Sequence, residues 1–252
     1  FSAQVLSRDA GATDDGKIRL DYAFVDYSFW QTEDTTAGVR LGRMVNPYGM
    51  YNDTRDVAHT RPSILLPQSV YFDVNRNLAL SADGGSLYLE QHYEFGDLEF
   101  QLGKLKPRTR DPDLEPALFF SDLPGKLEGD FDKTWLARAI YSYDLDRFRV
   151  GITTGAIGVK YDPAQVDIVQ SAGLVFKPLL AFAQYNSGLW SLTGEIASRR
   201  IKQQVSVSAQ ATEIKIRGTS YFVQLTRRLT DSVEVFARYD DLIWNNKDKK
   251  GV

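Results

Sequence analysis

The chain has 252 residues, with 43% hydrophobic, 12% aromatic and 25% charged side chains, no cysteine and a formal net charge of -3. That apolar content supports a folded core, and the lack of cysteine excludes disulfides, thiolate catalysis and Cys-ligated zinc or iron–sulfur sites. The slight acidity gives no general nucleic-acid footprint, and no apolar run approaches the roughly 20 residues of a spanning helix, although a barrel strand needs only about 10 with every second one apolar.

Taken in chain order, the strand-like runs come in pairs. Phe1–Ser7 reads as a partial strand. Ala23–Phe29 and Ala37–Leu41 flank a polar turn at Gln31–Thr35, and Leu87–Phe95 and Leu98–Leu102 flank Gly96-Asp97. Lys133–Asp144 carries the clearest alternation. Trp135, Ala137, Ala139, Tyr141 and Tyr143 share one face, and Leu136, Arg138, Ile140, Ser142 and Asp144 the other. Successive strand side chains point to opposite faces, so a period of two predicts a strand. Arg147–Gly155 repeats it beyond a tight turn at Leu145-Asp146. Leu179–Tyr185 with Trp190–Ile196, and Tyr221–Leu229 with Val233–Tyr239, complete a total of about eleven strands.

Short turns alternate with long segments, at about Arg8–Gly16, Asn46–Gly85, Pro107–Asp132, Lys160–Gln170 and Lys202–Thr212. Proline is concentrated in the long segments. Only Pro178 falls inside a strand-like run, which makes that strand the weakest of the set, because proline cannot donate to a ladder. No helix of ordinary length is expected; Glu115–Leu123 has room for one short turn.

Two architectures fit such hairpins. A soluble sandwich turns its apolar face inward, whereas a transmembrane antiparallel β-barrel turns it to lipid and keeps a polar interior. Aromatics beside the short turns favour the membrane barrel: Tyr27, Phe29 and Trp30, Tyr93 and Phe95, Tyr143 and Phe148, Tyr185 and Trp190. Amphipathic rings prefer the headgroup level, so these read as one girdle. The opposite faces carry Glu90, His92, Glu94, Arg138, Arg149, Glu195, Arg199, Glu234, Arg238 and Asp240. The sandwich stays open as the alternative, since aromatics also pair across strands in soluble sheets. Phe24 and Val25 are adjacent and both apolar, which calls for a bulge or an inward-facing aromatic.

Ala23–Phe29 (AFVDYSF), Val39–Gly49 (VRLGRMVNPYG) and Ser220–Asp240, with its late ARYD, resemble segments of Gram-negative outer-membrane porins, and among them the phosphate-selective and DcaP-like trimeric families. The likeness is one of style across most of the chain, with Val39–Asp73 the most distinctive part. It implies a 16-stranded homotrimeric pore in the outer membrane, in contact with lipid and lipopolysaccharide, with a loop folded into the channel. No arginine-rich loop matches the family's phosphate ladder. The chain starts within a strand and stops in a polar stretch, Asn245–Val252, so the expectation is one barrel domain over 1–252 that lacks strands at one or both ends, with a complete 12-stranded barrel as the alternative.

The segment Asn46–Gly85 is the main candidate site, because a structureless stretch of that length in a compact domain is usually functional. Ile64–Leu66 and Val70–Phe72 give it an apolar centre that a solvated loop would not need. Packed in the barrel mouth, it would present Arg55, His59 and Arg61, balanced by Asp53 and Asp56. Packed outside or between subunits, the same charges would serve only its own backbone. On the wall, Arg40, Arg138, Arg149, Arg199 and Arg238 share inner parity with Glu90, His92, Glu94, Glu195 and Glu234. These charges either set a transverse field or pair with one another to stiffen the wall. His59 and His92 are the only histidines. No serine is placed beside either, and G-x-S-x-G, H-E-x-x-H and nucleotide-binding glycine motifs are absent, so no enzyme, metal or cofactor is expected. The expected function is passive diffusion of small hydrophilic solutes with a slight lean to anions. The alternatives are a soluble all-β module that binds carbohydrate or protein, and an outer-membrane barrel hydrolase.

Overall fold

The computed structural model describes residues 1–7, 9–10, 14–55, 57, 61, 63, 65–72, 76–109, 114, 118, 124–207 and 210–248. Among the described residues thirteen strands form: β1 Ser2–Leu6, β2 Asp9–Ala10, β3 Asp14–Asp15, β4 Arg19–Gln31, β5 Thr35–Val45, β6 Ser81–Tyr93, β7 Gly96–Pro107, β8 Lys126–Tyr143, β9 Phe148–Asp162, β10 Val169–Asn186, β11 Trp190–Val207, β12 Gln210–Thr230 and β13 Val233–Ile243. Eleven of them make one sheet in the order β1-β4-β5-β6-β7-β8-β9-β10-β11-β12-β13, and β2 pairs only with β3. Every pairing in the large sheet is antiparallel. Among the described residues β1 and β13 each have one neighbour, so the sheet is open. A five-residue helix, α1 Arg76–Leu80, precedes β6. No described helix is long and apolar enough to cross a membrane.

The two faces differ as the alternation requires. Trp135 is 41% exposed and its neighbour Leu136 is 0% exposed; Leu179 and Leu180 are 46% and 0%. The outer face carries Val25, Leu41, Leu87, Leu102, Ile152, Ile196 and Val223, all exposed. Exposed apolar side chains repeated across so many adjacent strands mark a membrane or interaction face. With the antiparallel order and short turns, this is a barrel-type antiparallel β-wall with one apolar face, open among the described residues.

The strands run further than the hydrophobic pattern foretold. β6 starts at Ser81, β8 at Lys126 with a register shift between Asp130 and Trp135, and β11 reaches Val207. Beyond the apolar band the outer face turns polar while Ile157, Val159, Leu174 and Ile201 point inward, so the apolar face changes sides while the ladder continues. Phe24 faces inward against the core and Val25 outward, so the inward-aromatic reading holds; the bulge lies further on, between Ser28 and Trp30. Pro178 occupies a central strand. It pairs with Arg199 of β11, while the ladder to β9 skips from Phe176 to Leu179, which is where the missing N–H is absorbed. The helical turn expected at 115–123 lies, apart from Leu118, outside the described residues.

The inner face is not uniformly wet. Met44, Leu105, Leu136, Ile157, Val159 and Leu174 form an apolar cluster with Leu78 and Leu114 from the long connections. The connections that fold onto the wall remove this surface from water.

Candidate functional site: an inward-folded loop and the cavity beside it

The segment between β5 and β6 lies against the inner face. Tyr48, Tyr51, Leu66, Val70 and Tyr71 pack with Leu180, Ala197 and Phe222 of β10, β11 and β12. Burying aromatic area at this scale outweighs the cost of ordering a loop, provided its polar groups find partners. They do. The Tyr71 hydroxyl donates to Glu195 Oε2 at 2.6 Å and accepts from the Met50 and Tyr51 amides at 2.7 and 3.1 Å. The Gly49 amide donates to Thr153 Oγ1 at 3.2 Å, and its carbonyl accepts from Arg138 at 3.3 Å. Asn52 Nδ2 donates to the carbonyls of Asn46, Ala79 and Leu80, which closes the loop on itself.

Gly49 has φ +62, and a Cβ there would meet the Tyr71 hydroxyl and, at 2.6 Å, Glu195 Oε1. Only glycine suits both the backbone and the space. Burial, then the charge of Glu195, pushes the loop phenols up: Tyr51 to about 12, with Tyr48 and Tyr71 further still.

Between this loop and strands β4–β8 lies a cavity of about 400 Å³, whose lining includes Arg40, Asp53, Tyr88, Glu90, Glu99 and Arg138. Arg138 pairs with Asp53 of the loop at 2.5 Å. Arg40 pairs with Asp26 at 2.9 Å and lies 4.3 Å from the centre of the Tyr88 ring. Tyr88 Oη donates to Asp26 Oδ1 at 2.8 Å. Each arginine is thus held by a carboxylate and an aromatic or backbone partner. Glu90 and Glu99 add negative charge to the same space.

The expected residues therefore divide. Arg40, Glu90 and Arg138 come together at the cavity. Arg149 pairs with Asp146 near the short turns at 3.5 Å. Arg238 donates to Ser63 Oγ and the Leu65 carbonyl, both at 3.1 Å, and so anchors the loop. Arg55 and Arg199, each 4% exposed, are corrected from channel-facing cations to buried ones. Arg55 donates to the Phe72 carbonyl at 3.2 Å, and Arg199 lies 5.3 and 5.6 Å from the Phe72 and Trp244 rings. Both face a smaller, mostly apolar cavity of about 110 Å³. His92 is also corrected: it is exposed at the short-turn end and bonds Asp97 at 2.6 Å, away from the cavity. Arg61 is half-buried, and its Nε has no partner among the described residues. His59 and Asp56 lie outside the described residues. Glu99, Tyr88 and Tyr71 were missed by sequence reasoning. Inner parity on β7, against Leu98, Phe100 and Leu102, is the signal that finds Glu99. The described residues hold no cluster of metal-ligating side chains.

No family model matches the chain. No curated protein matches it. Solved structures of similar fold include in-vitro folded OmpT, an outer membrane protein of Vibrio cholerae, at 10% identity and TM-score 0.44, covering 94% of this chain and 86% of that one. Its trimer form matches at 10% identity and TM-score 0.44 over 93% and 75% of the two chains. A loop L8 deletion mutant of OmpT matches at 11% identity and TM-score 0.43 over 92% and 78%. These likenesses concern fold alone. The structures found are outer membrane proteins called OmpT, and against them the expectation that the chain is no enzyme is withdrawn.

Proposed function

We propose that this chain builds the wall and constriction of an outer-membrane porin, of the trimeric kind its sequence resembles, through which small hydrophilic solutes diffuse passively. The observation that carries the reading is the Asn46–Leu80 loop, tied to the inner face at Tyr71–Glu195 and Arg138–Asp53 beside a charged cavity of about 400 Å³. A loop pinned at both the wall and its own ends narrows a channel without needing to move.

The lean to anions is replaced. Arg55 is buried, and the two cavity arginines, Arg40 and Arg138, face three carboxylates in the lining, Asp53, Glu90 and Glu99. Two positive and three negative groups favour cations weakly. Planar-bilayer recording of the detergent-folded protein tests the proposal. Stepwise conductance with a small cation-selective reversal potential is expected; a folded sample that never conducts overturns the porin reading, and a clear anion preference overturns the selectivity.

A further inference from the structure

The outer face changes character on the long-connection side of the apolar band. In register across three adjacent strands, Lys177 of β10 lies opposite Arg200 of β11, and Arg200 opposite Arg217 of β12. The next row outward places Val175, Lys202 and Lys215 side by side. All five cations are exposed. Glu213 answers two of them, at 2.8 Å to Lys202 and 2.5 Å to Lys215. Lys177, Arg200 and Arg217 have no ion-pair partner among the described residues.

Like charges directly opposite on neighbouring strands repel. In a chain of net charge -3, three abreast without a carboxylate are not an average of the composition. Their level is also specific. Toward the short turns the next rows are Leu179–Ser198–Thr219 and then Ala181–Ile196–Tyr221, which lies within the apolar band. The exposed ring of Trp135 lies two strands away from Lys177 on the same face. Aromatic rings mark the headgroup level of a bilayer, and basic side chains just beyond them meet lipid phosphates. Long connections of such barrels lie on the outer-leaflet side.

We propose that the Lys177–Arg200–Arg217 row, supported by Lys202 and Lys215, binds the phosphorylated headgroup of lipopolysaccharide in the outer leaflet. Neighbouring strands are about 4.8 Å apart, so the row spans about 10 Å, enough for two phosphates on one sugar headgroup. Arginine supplies forked donors suited to phosphate, and lysine a mobile point charge. The site needs the membrane wall but not the channel, so it stands or falls separately from conduction.

The test measures binding of rough lipopolysaccharide to the detergent-folded protein by native mass spectrometry, with its dephosphorylated form and inorganic phosphate as parallel probes. The wild type is expected to bind the phosphorylated glycolipid at least tenfold more tightly than K177Q/R200Q/R217Q, with weakening by salt and unchanged single-channel conductance. R200Q alone, the milder variant should the triple one fail to fold, is expected to lose roughly threefold. Equal binding by the variants, or equally tight binding of the dephosphorylated glycolipid, overturns the proposal. So does inorganic phosphate that competes at concentrations comparable to the glycolipid, which would mark a simple ion site. Efficient crosslinking between protomers through position 200 would overturn it as a subunit contact.

Discussion

Gly49 carries more of the loop's placement than any charged residue. Its positive φ and the Tyr71 hydroxyl and Glu195 carboxylate over its Cα leave no room for a methyl group. Gly49→Ala is expected to push Tyr71 off Glu195 and raise single-channel conductance, at a cost of about 1–3 kcal/mol in stability. The loop phenols give a second residue-scale expectation. The unfolded value lies near 10 and the folded Tyr51 value near 12, so the folded chain holds this proton more tightly. Its stabilising contribution is full below pH about 10 and is lost as pH rises through about 12. Ultraviolet titration should show the phenols of Tyr48, Tyr51 and Tyr71 lagging behind the exposed tyrosines, and Tyr71→Phe should advance the other two. A single uniform phenol transition in the folded protein would contradict this. At the far end of the wall, Asp144, Leu145 and Asp146 have φ of 53, 54 and 64. Leu145 is fully exposed there, so Leu145→Asn is expected to stabilise by up to about 1 kcal/mol, because asparagine tolerates the left-handed region that leucine resists. Denaturant midpoints at unchanged m-value measure it.

At the scale of elements, what was legible in the sequence follows burial contrast. Hairpins such as β8–β9 and β12–β13 announced themselves because one face is apolar and the other carries polar groups. Their outer extensions did not, because Arg200, Lys202, Lys215 and Arg217 make polar the face that is apolar further along the same strands. The loop's position was foreseeable from Ile64–Leu66 and Val70–Phe72, but its partners were not. Glu195 and Thr153 are 146 and 104 residues from Gly49, and no local pattern encodes which wall residue a loop tyrosine reaches. Arg55 and Arg199 were misjudged for the same reason: parity and polarity placed them inward, but aromatic cover from Phe72 and Trp244 takes them out of the cavity. The cavity's charge is therefore a property of two elements together, the loop through Asp53 and the wall through Arg138, Glu90 and Glu99. Glu90→Gln with Glu99→Gln is expected to move the reversal potential toward anions, and Arg138→Gln to move it toward cations while loosening the loop. Reversal potentials that stay fixed in both variants would place the selectivity elsewhere.

For the whole molecule, the decision between a membrane wall and a soluble sheet reduces to what covers the outer face. Ile196 is 51% exposed in the middle of the apolar band, flanked in register by Ala181 and Tyr221. In a water-soluble domain, arginine at so exposed a position changes stability by no more than about 0.5 kcal/mol. In a bilayer, an arginine at the midplane of a barrel's lipid face costs about 2–4 kcal/mol, and the cost falls toward the interfaces. Ile196→Arg is thus expected to lower stability strongly in refolding from urea into lipid vesicles. Arginine at Ser198, one outward position nearer the cationic row, should cost less, and the existing Arg200 marks where the cost has vanished. The gradient is the informative quantity. A flat response along positions 196, 198 and 200 would mean water covers this face, whereas a steep one fixes both the membrane and the depth at which its headgroups meet the basic row.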